Sequence, residues 1–202
     1  MECCGGNYCR RCGCDTADYA VVEGFCPACQ GTEFHFDGIA RGGVYSRSLQ
    51  QMVLAFKHGR TELSAVMCFL ANSALAGAPF RGEIDLFVPV PLHWSRRLAR
   101  GYNQAYIITR GLKRQGEAVS TELVRVRRTK RQSGVEYAAR ARNVAGAFSV
   151  RRGHPFGGKN ICLVDDIKTS GATLSECAKT LKQAGAAKVF ALVAAVAGQR
   201  LD

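Results

Sequence analysis

The segment Ile161–Thr173 reads I-C-L-V-D-D-I-K-T-S-G-A-T, and no other stretch constrains the chain as tightly. Ile161, Leu163 and Val164 predict a buried strand that carries two adjacent acids, Asp165 and Asp166, at its C-terminal end. The loop Lys168–Thr173 follows, with hydroxyls on Thr169 and Ser170, a permissive Gly171, then Ala172, and a helix opening near Thr173. Strand, polar turn and helix in this order form the unit of a parallel sheet, whose ligands bind beside the C-terminal strand ends. Loop N–H groups and the positive end of the helix dipole suit a phosphate monoester. Paired carboxylates accept hydrogen bonds from a vicinal diol, so ribose 5-phosphate matches both halves of the turn. A plain strand–turn–helix with a Thr or Ser N-cap explains the hydroxyls but not two consecutive acids.

The rest of the pattern extends the same architecture. Strands are expected near Ile39–Tyr45, Leu86–Val90, Leu123–Val126, Ala147–Val150, Asn160–Val164 and Val189–Val196. They alternate with helices near Leu49–His58, Thr61–Ala76, Asn103–Gln115 and Leu174–Ala184, the last ended by Gly185. Leu49, Met52, Val53 and Phe56 recur at helical spacing and face a core. Alternation with apolar strands implies an α/β fold, a mainly parallel sheet with helices on both faces. Pro89 and Pro91 stiffen the exit of the second strand, and Trp94–Ala105 reads as a basic loop rich in arginine, where a second phosphate could bind near Arg100.

Seven of ten cysteines fall within the first 29 residues, and Cys9-x-x-Cys12 and Cys26-x-x-Cys29 form two knuckles separated by thirteen residues. Two such knuckles complete a tetrahedral four-thiolate zinc site, with a short hairpin between them. A closed set leaves no open coordination position, so this zinc is expected to be structural. The alternatives are a redox C-x-x-C, which lacks its usual βαβ context here, and unligated thiols. Cys3, Cys4 and Cys14 are left over, while Cys68, Cys162 and Cys177 sit in apolar surroundings as core residues. The expected organisation is a zinc-ribbon module over residues 1–34 and an α/β domain over residues 35–202. No run of about eighteen apolar residues predicts a membrane span. The polar opening lacks the apolar stretch of a signal peptide, which predicts a cytoplasmic protein.

Charge is unevenly placed. Residues 91–152 hold fifteen Lys and Arg against three acids, and the remainder carries thirteen of each sign, so the net charge of +12 lies in the middle of the chain. A single-stranded nucleic acid would use such a groove together with aromatic platforms. Trp94, Tyr102, Tyr106, Tyr137 and Phe148 fall in this stretch, with Arg96, Arg97, Arg100 and Arg142 as phosphate partners. The alternative is a solvated basic surface over buried aromatics. Periodicity places Tyr106 inside and leaves Trp94 as the stacking residue.

The Ile161–Thr173 segment resembles the phosphoribosyl-pyrophosphate (PRPP) loop of type I phosphoribosyltransferases. By that resemblance Asp165 and Asp166 hold the ribose hydroxyls at the catalytic centre, and Lys168, Thr169, Ser170, Gly171, Ala172 and Thr173 bind the 5-phosphate, with Mg2+ accompanying PRPP. Ser170 stands where threonine is more usual, and Lys168 where a small or apolar residue is. A second block, V-P-V-P-L-H, R-G-Y-N-Q-A, R-x-R-x-T-K-x-Q-x-G and R-x-x-N-V-x-G-A-F, is similar to the ComF family. That family is a phosphoribosyltransferase-like branch associated with competence and DNA uptake, and its fuller members carry further N-terminal cysteine pairs. The resemblance runs from Cys9 to about Val196. It implies a type I phosphoribosyltransferase-like fold behind the zinc ribbon. It also implies a loop over Arg127–Asn143 from which Arg128, Lys130, Gln132 and Arg142 meet a pyrophosphate on closure, and uptake proteins or single-stranded DNA as partners. No base-specificity segment is legible, so the acceptor is open.

Overall fold

The computed structural model describes residues 7–17, 20–22, 25–45, 47–113, 115–129 and 137–197. Its centre is a five-stranded, wholly parallel sheet in the order β1-β7-β6-β2-β3, built from β1 (Gly38–Arg41), β2 (Leu86–Pro89), β3 (Ala118–Val119), β6 (Asn160–Lys168) and β7 (Lys188–Val196). A separate antiparallel pair joins β4 (Leu123–Arg125) to β5 (Phe148–Val150). Side-chain alternation divides the core in two. Ile161, Leu163, Val189, Ala191 and Val193 point to the face covered by α6 (Ala172–Gln183), while Cys162, Val164, Phe190 and Leu192 point to the other. That second face is covered by α1 (Arg47–Lys57), α2 (Ser64–Ala76) and α4 (Gln104–Arg110). The expected parallel α/β sheet with helices on both faces is therefore what forms.

Several boundaries differ from expectation for local reasons. Trp94–Ala105 is not a loop: α3 (Trp94–Arg100) starts on an N-cap at His93, whose ring accepts from the Ser95 N–H, and ends on Gly101 at φ +80°. Asn103 then caps α4, which stops at Gly111 rather than reaching Gln115. At Gly111 an added Cβ would lie 2.3 Å from Cys68 Sγ, so α2 and α4 approach too closely for a side chain there. The first strand breaks at Gly42, where a Cβ would lie 2.5 Å from the Leu70 carbonyl oxygen, and resumes as a single bridge at Val44. Among the described residues between the cysteine knuckles, the expected hairpin is represented by a bridge between Val22 and Phe25. A short helix, α5 (Tyr137–Val144), occupies the end of the Arg127–Asn143 stretch expected as a loop.

The cysteine-rich segment packs directly onto the sheet. Arg41 on β1 donates to the Gly13 carbonyl at 2.8 Å and pairs with Asp15, and the Ile39 N–H donates to the Arg10 carbonyl at 2.9 Å. The knuckle cysteines belong to the same apolar cluster as Ile39, Val193 and Leu174.

Candidate functional site

Strand β6 does not end at its acids. Asp165 stays in register with Val193, and pairing continues through Ile167 and Lys168 to Ala195 and Val196. The adjacent acids therefore sit on opposite faces of an extended strand. Asp166 is buried, and its Oδ2 lies 3.0 Å from Lys57 Nζ, the last residue of α1. Lys57 is held there because the Tyr102 hydroxyl donates to the neighbouring Phe56 carbonyl, pinning the end of α1. Asp165 accepts from the Asp166 N–H at 2.9 Å. Burial, then the Asp166 carboxylate, pushes the Asp165 carboxyl up to about 8, with Lys57 working against them. Tyr45 faces the same group: burial and Asp166 push its phenol up, while Lys57 opposes.

After β6 the chain turns through Thr169 and Ser170 into Gly171, at φ +82°, which is the N-cap of α6. The N-cap residue is glycine and supplies no side-chain cap; the Ser170 Oγ accepts from the Ala172 N–H, the first of α6, at 3.4 Å. Lys168, expected in the loop, is a strand residue only 3% exposed. Its ammonium donates to the Thr169 carbonyl at 3.3 Å and lies 5.6 Å from the Phe34 ring centroid. It therefore points neither to solvent nor across the loop mouth.

Further basic residues are fixed by β4 and α3. Arg125, at the end of β4, donates to Thr129 Oγ1 and stacks 5.2 Å from the Phe148 ring. Burial lowers its pKa, while Cys177 and Asp165 raise it. Arg96 donates to the Thr129 carbonyl at 2.7 Å, so α3 and β4 converge on one residue. Burial and then Arg125, Arg128 and Arg96 hold the His93 imidazole below its usual value, and its Nδ1 accepts from the Ser95 N–H at 3.3 Å.

The remaining expected residues are distributed as follows. Arg100 donates to the buried Gln104 at 3.3 Å, and Asn103 donates to the Val90 carbonyl at 3.0 Å, so R-G-Y-N-Q-A mainly fastens α3 to α4 and β2. Trp94 is 66% exposed on α3, with Leu98 (75% exposed) one turn on and Arg97 exposed between them. Tyr106, expected inside, is 41% exposed because α4 turns that face away from the sheet. Arg128 and Arg142 are exposed, and Arg127 is tied to the Asn143 and Ala145 carbonyls. Lys130, Gln132, Cys3, Cys4 and the Tyr137 side chain lie outside the described residues.

Lys57 and Arg125 were not marked as site residues by the sequence, though both carry a signal. Lys57 falls four residues after the fully buried Val53, and Arg125 shares the inward alternation of Leu123.

Cys9, Cys12, Cys26 and Cys29 form a second centre, each 1% exposed, with all four sulfurs within 4.8 Å of one another. Separations of 3.5, 3.7 and 3.9 Å for Cys12–Cys26, Cys26–Cys29 and Cys9–Cys29 match the ~3.8 Å edge of a tetrahedron with Zn–S near 2.3 Å. Burial pushes the Cys29 thiol up to about 11. Four buried thiolates are incompatible without a cation, so the donor set fits a metal such as zinc. Cys14 is buried beside them but outside the set.

No protein-family model matches the chain. Among curated proteins it is 29% identical over 189 residues to Competence protein F of Haemophilus influenzae, covering 90% of this chain and 81% of that protein. It is 35% identical over 107 residues to the DNA utilization protein YhgH of Escherichia coli and 37% over 108 residues to that of Salmonella typhi. Those two matches span 52% of this chain and about half, 46%, of each YhgH protein.

Proposed function

We propose, from the premise that this chain belongs to the ComF (competence protein F) family, that it acts in DNA uptake and binds a phosphoribosyl ligand at the end of β6. One observation carries the ligand reading: the Asp165–Asp166 pair stands near the C-terminal end of β6, with four residues between it and Gly171, where α6 opens. In this reading Asp165 and Asp166 reach the ribose 2- and 3-hydroxyls from the two sides of β6, Asp166 exchanging part of its Lys57 contact for the sugar, and Thr169–Thr173 hold the 5-phosphate at the helix N-terminus. Lys57, Arg125 and Arg96 neutralise the charge of a pyrophosphate on C1, with Arg100, Arg128 and Lys130 as the family resemblance suggests.

In the free protein Asp165 keeps its proton and Asp166 is paired with Lys57; a Mg2+ arriving with PRPP would favour the ionised form of both carboxyls, which could then hold it. Bound with PRPP, Mg2+ would supply charge neutralisation of the leaving pyrophosphate. The reaction such a site supports is displacement at ribose C1. The C1–O bond breaks with its electron pair going to pyrophosphate, and a nitrogen nucleophile or water forms the new bond. Asp165 and Asp166 place negative charge beside the oxocarbenium-like centre. Titration calorimetry of PRPP with Mg2+ tests this. Binding lost in Asp165→Asn and Asp166→Asn supports the reading, and binding unchanged by both variants overturns it.

A second reading is favoured by the exposure of Trp94. On α3, Trp94 and Leu98 offer a stacking face beside Arg97, and the surrounding sixty residues carry the chain's entire positive excess. A single strand of DNA would stack on Trp94 and lay phosphates along Arg96, Arg97, Arg100 and Arg142. Salt-dependent binding of an oligo-dT, weakened by Trp94→Ala, is the expected result.

A further inference from the structure

The phosphate loop is backed by a residue from the cysteine-rich segment. At Gly171 an added Cβ would lie 2.8 Å from Phe34 Cε1 and 3.1 Å from Lys168 Cε, so the Phe34 ring lies against the turn that opens α6. The same ring faces the Lys168 ammonium and stacks on Phe36 at 4.9 Å. The next residue, His35, donates its N–H to Ser175 Oγ in the first turn of α6 at 3.0 Å. Asp37 then accepts from Lys182 Nζ and from the Val189 N–H, each at 2.7 Å. Phe34–Asp37 is thus a strap across the start of α6, fixed at its C-terminal end to α6 and β7.

Its other end is the second cysteine knuckle. Only four residues separate Cys29 from Phe34, and within them the Thr32 N–H donates to the Cys29 carbonyl at 3.0 Å. Four residues bonded at both ends have little slack to absorb a change at the knuckle. Phe34 is itself buried in the apolar cluster that contains the four cysteines.

We propose that Phe34 is a positioning residue for the phosphate loop, through which the metal held by Cys9, Cys12, Cys26 and Cys29 fixes the conformation of Gly171 and Lys168. The proposal rests on the reading of that loop as a phosphate site. With the metal in place the strap is taut, the Phe34 ring sets the loop, and the N-terminus of α6 is preorganised for an anion. Without it the strap slackens and the loop loses its backing. Coupling of this kind is reciprocal: a ligand that needs the ordered loop must also retain the metal.

The test is the zinc affinity of the protein, from equilibrium competition with a chromophoric chelator, with and without saturating ribose 5-phosphate. Zinc held roughly fivefold or more tightly with the ligand, and so less released at a given chelator concentration, is expected, in the usual range of such couplings. The effect should vanish in Phe34→Leu, which keeps the buried bulk, and be restored in Phe34→Tyr, which keeps the ring. A merely structural phenylalanine would lower stability without altering the ligand dependence. Ribose 5-phosphate that binds by calorimetry but leaves zinc affinity unchanged overturns the proposal. If ribose 5-phosphate does not bind, the phosphate reading of the loop has failed, and amide exchange over residues 168–175 decides the coupling. Faster exchange on zinc removal upholds it, and unchanged exchange overturns it.

Discussion

Lys57 Nζ stands 3.0 Å from Asp166 Oδ2, so a helix-end cation on one face of the sheet neutralises one of two adjacent strand acids. The other acid, Asp165, faces the opposite side and gains only indirectly from that charge. Lys57→Met should therefore destabilise the protein by about 1–2 kcal/mol, the pair being only partly shielded from water. It should also raise further the pH at which the Asp165 carboxyl releases its proton, because Lys57 opposes that upward shift. Chemical denaturation, with carboxyl titration followed by NMR, measures both.

The raised Asp165 pKa has a definite sign in stability. In the unfolded chain this carboxyl ionises near 4, whereas in the fold burial and Asp166 hold its proton to about 8. The folded state binds the extra proton between those values. This contribution is fully present below the unfolded pKa and is lost as pH rises through the folded one, by up to about 1.4 kcal/mol per pH unit. Asp165→Asn should remove that slope and be more stable than the parent at pH 8. Calorimetric melting of the two proteins between pH 5 and 8.5 gives the difference directly.

Metal content separates the ligand cysteines from their neighbour. Cys26→Ser should lose the zinc and lower the melting temperature by about 10 °C, corresponding to roughly 3 kcal/mol for a chain of this size. Cys14→Ser should retain one zinc per chain, because Cys14 lies beside the site, with its backbone N–H on Cys12 Sγ at 3.5 Å, but is not one of the four cysteines whose sulfurs converge. Elemental analysis of the purified variants decides this.

Close backbone approach makes Gly42 irreplaceable. An alanine Cβ there meets the Leu70 carbonyl oxygen, which belongs to α2 and cannot swing aside. Gly42→Ala should cost about 2–3 kcal/mol in denaturant unfolding, as overpacking against fixed backbone does.

The parts of the molecule written in local sequence were the readable ones. Ile161–Val164 announces a buried strand, the knuckle spacing announces a four-cysteine set, and Leu49, Val53 and Phe56 announce a helix face. What was not readable depends on partners distant in sequence. Strand β3 is two residues long and exists because β2 offers an edge. The continuation of β6 past its acids is fixed by β7, thirty residues away. Helix α3 hid behind a histidine N-cap, a residue that seldom plays that role. Lys57 reaches Asp166 where Tyr102, bonded to a carbonyl 46 residues earlier at Phe56, holds the end of α1. The candidate site was therefore legible in its acids and loop, and illegible in the cations that tertiary packing brings to them.

The central claim, that the turn after Asp165 and Asp166 holds a sugar phosphate, is tested most directly by an amide NMR titration of the zinc-loaded protein with ribose 5-phosphate. The account predicts the largest, saturable shifts at the N–H groups of Thr169–Thr173, abolished in Asp165→Asn/Asp166→Asn. Saturable shifts centred elsewhere, or none at those five amides, would contradict it.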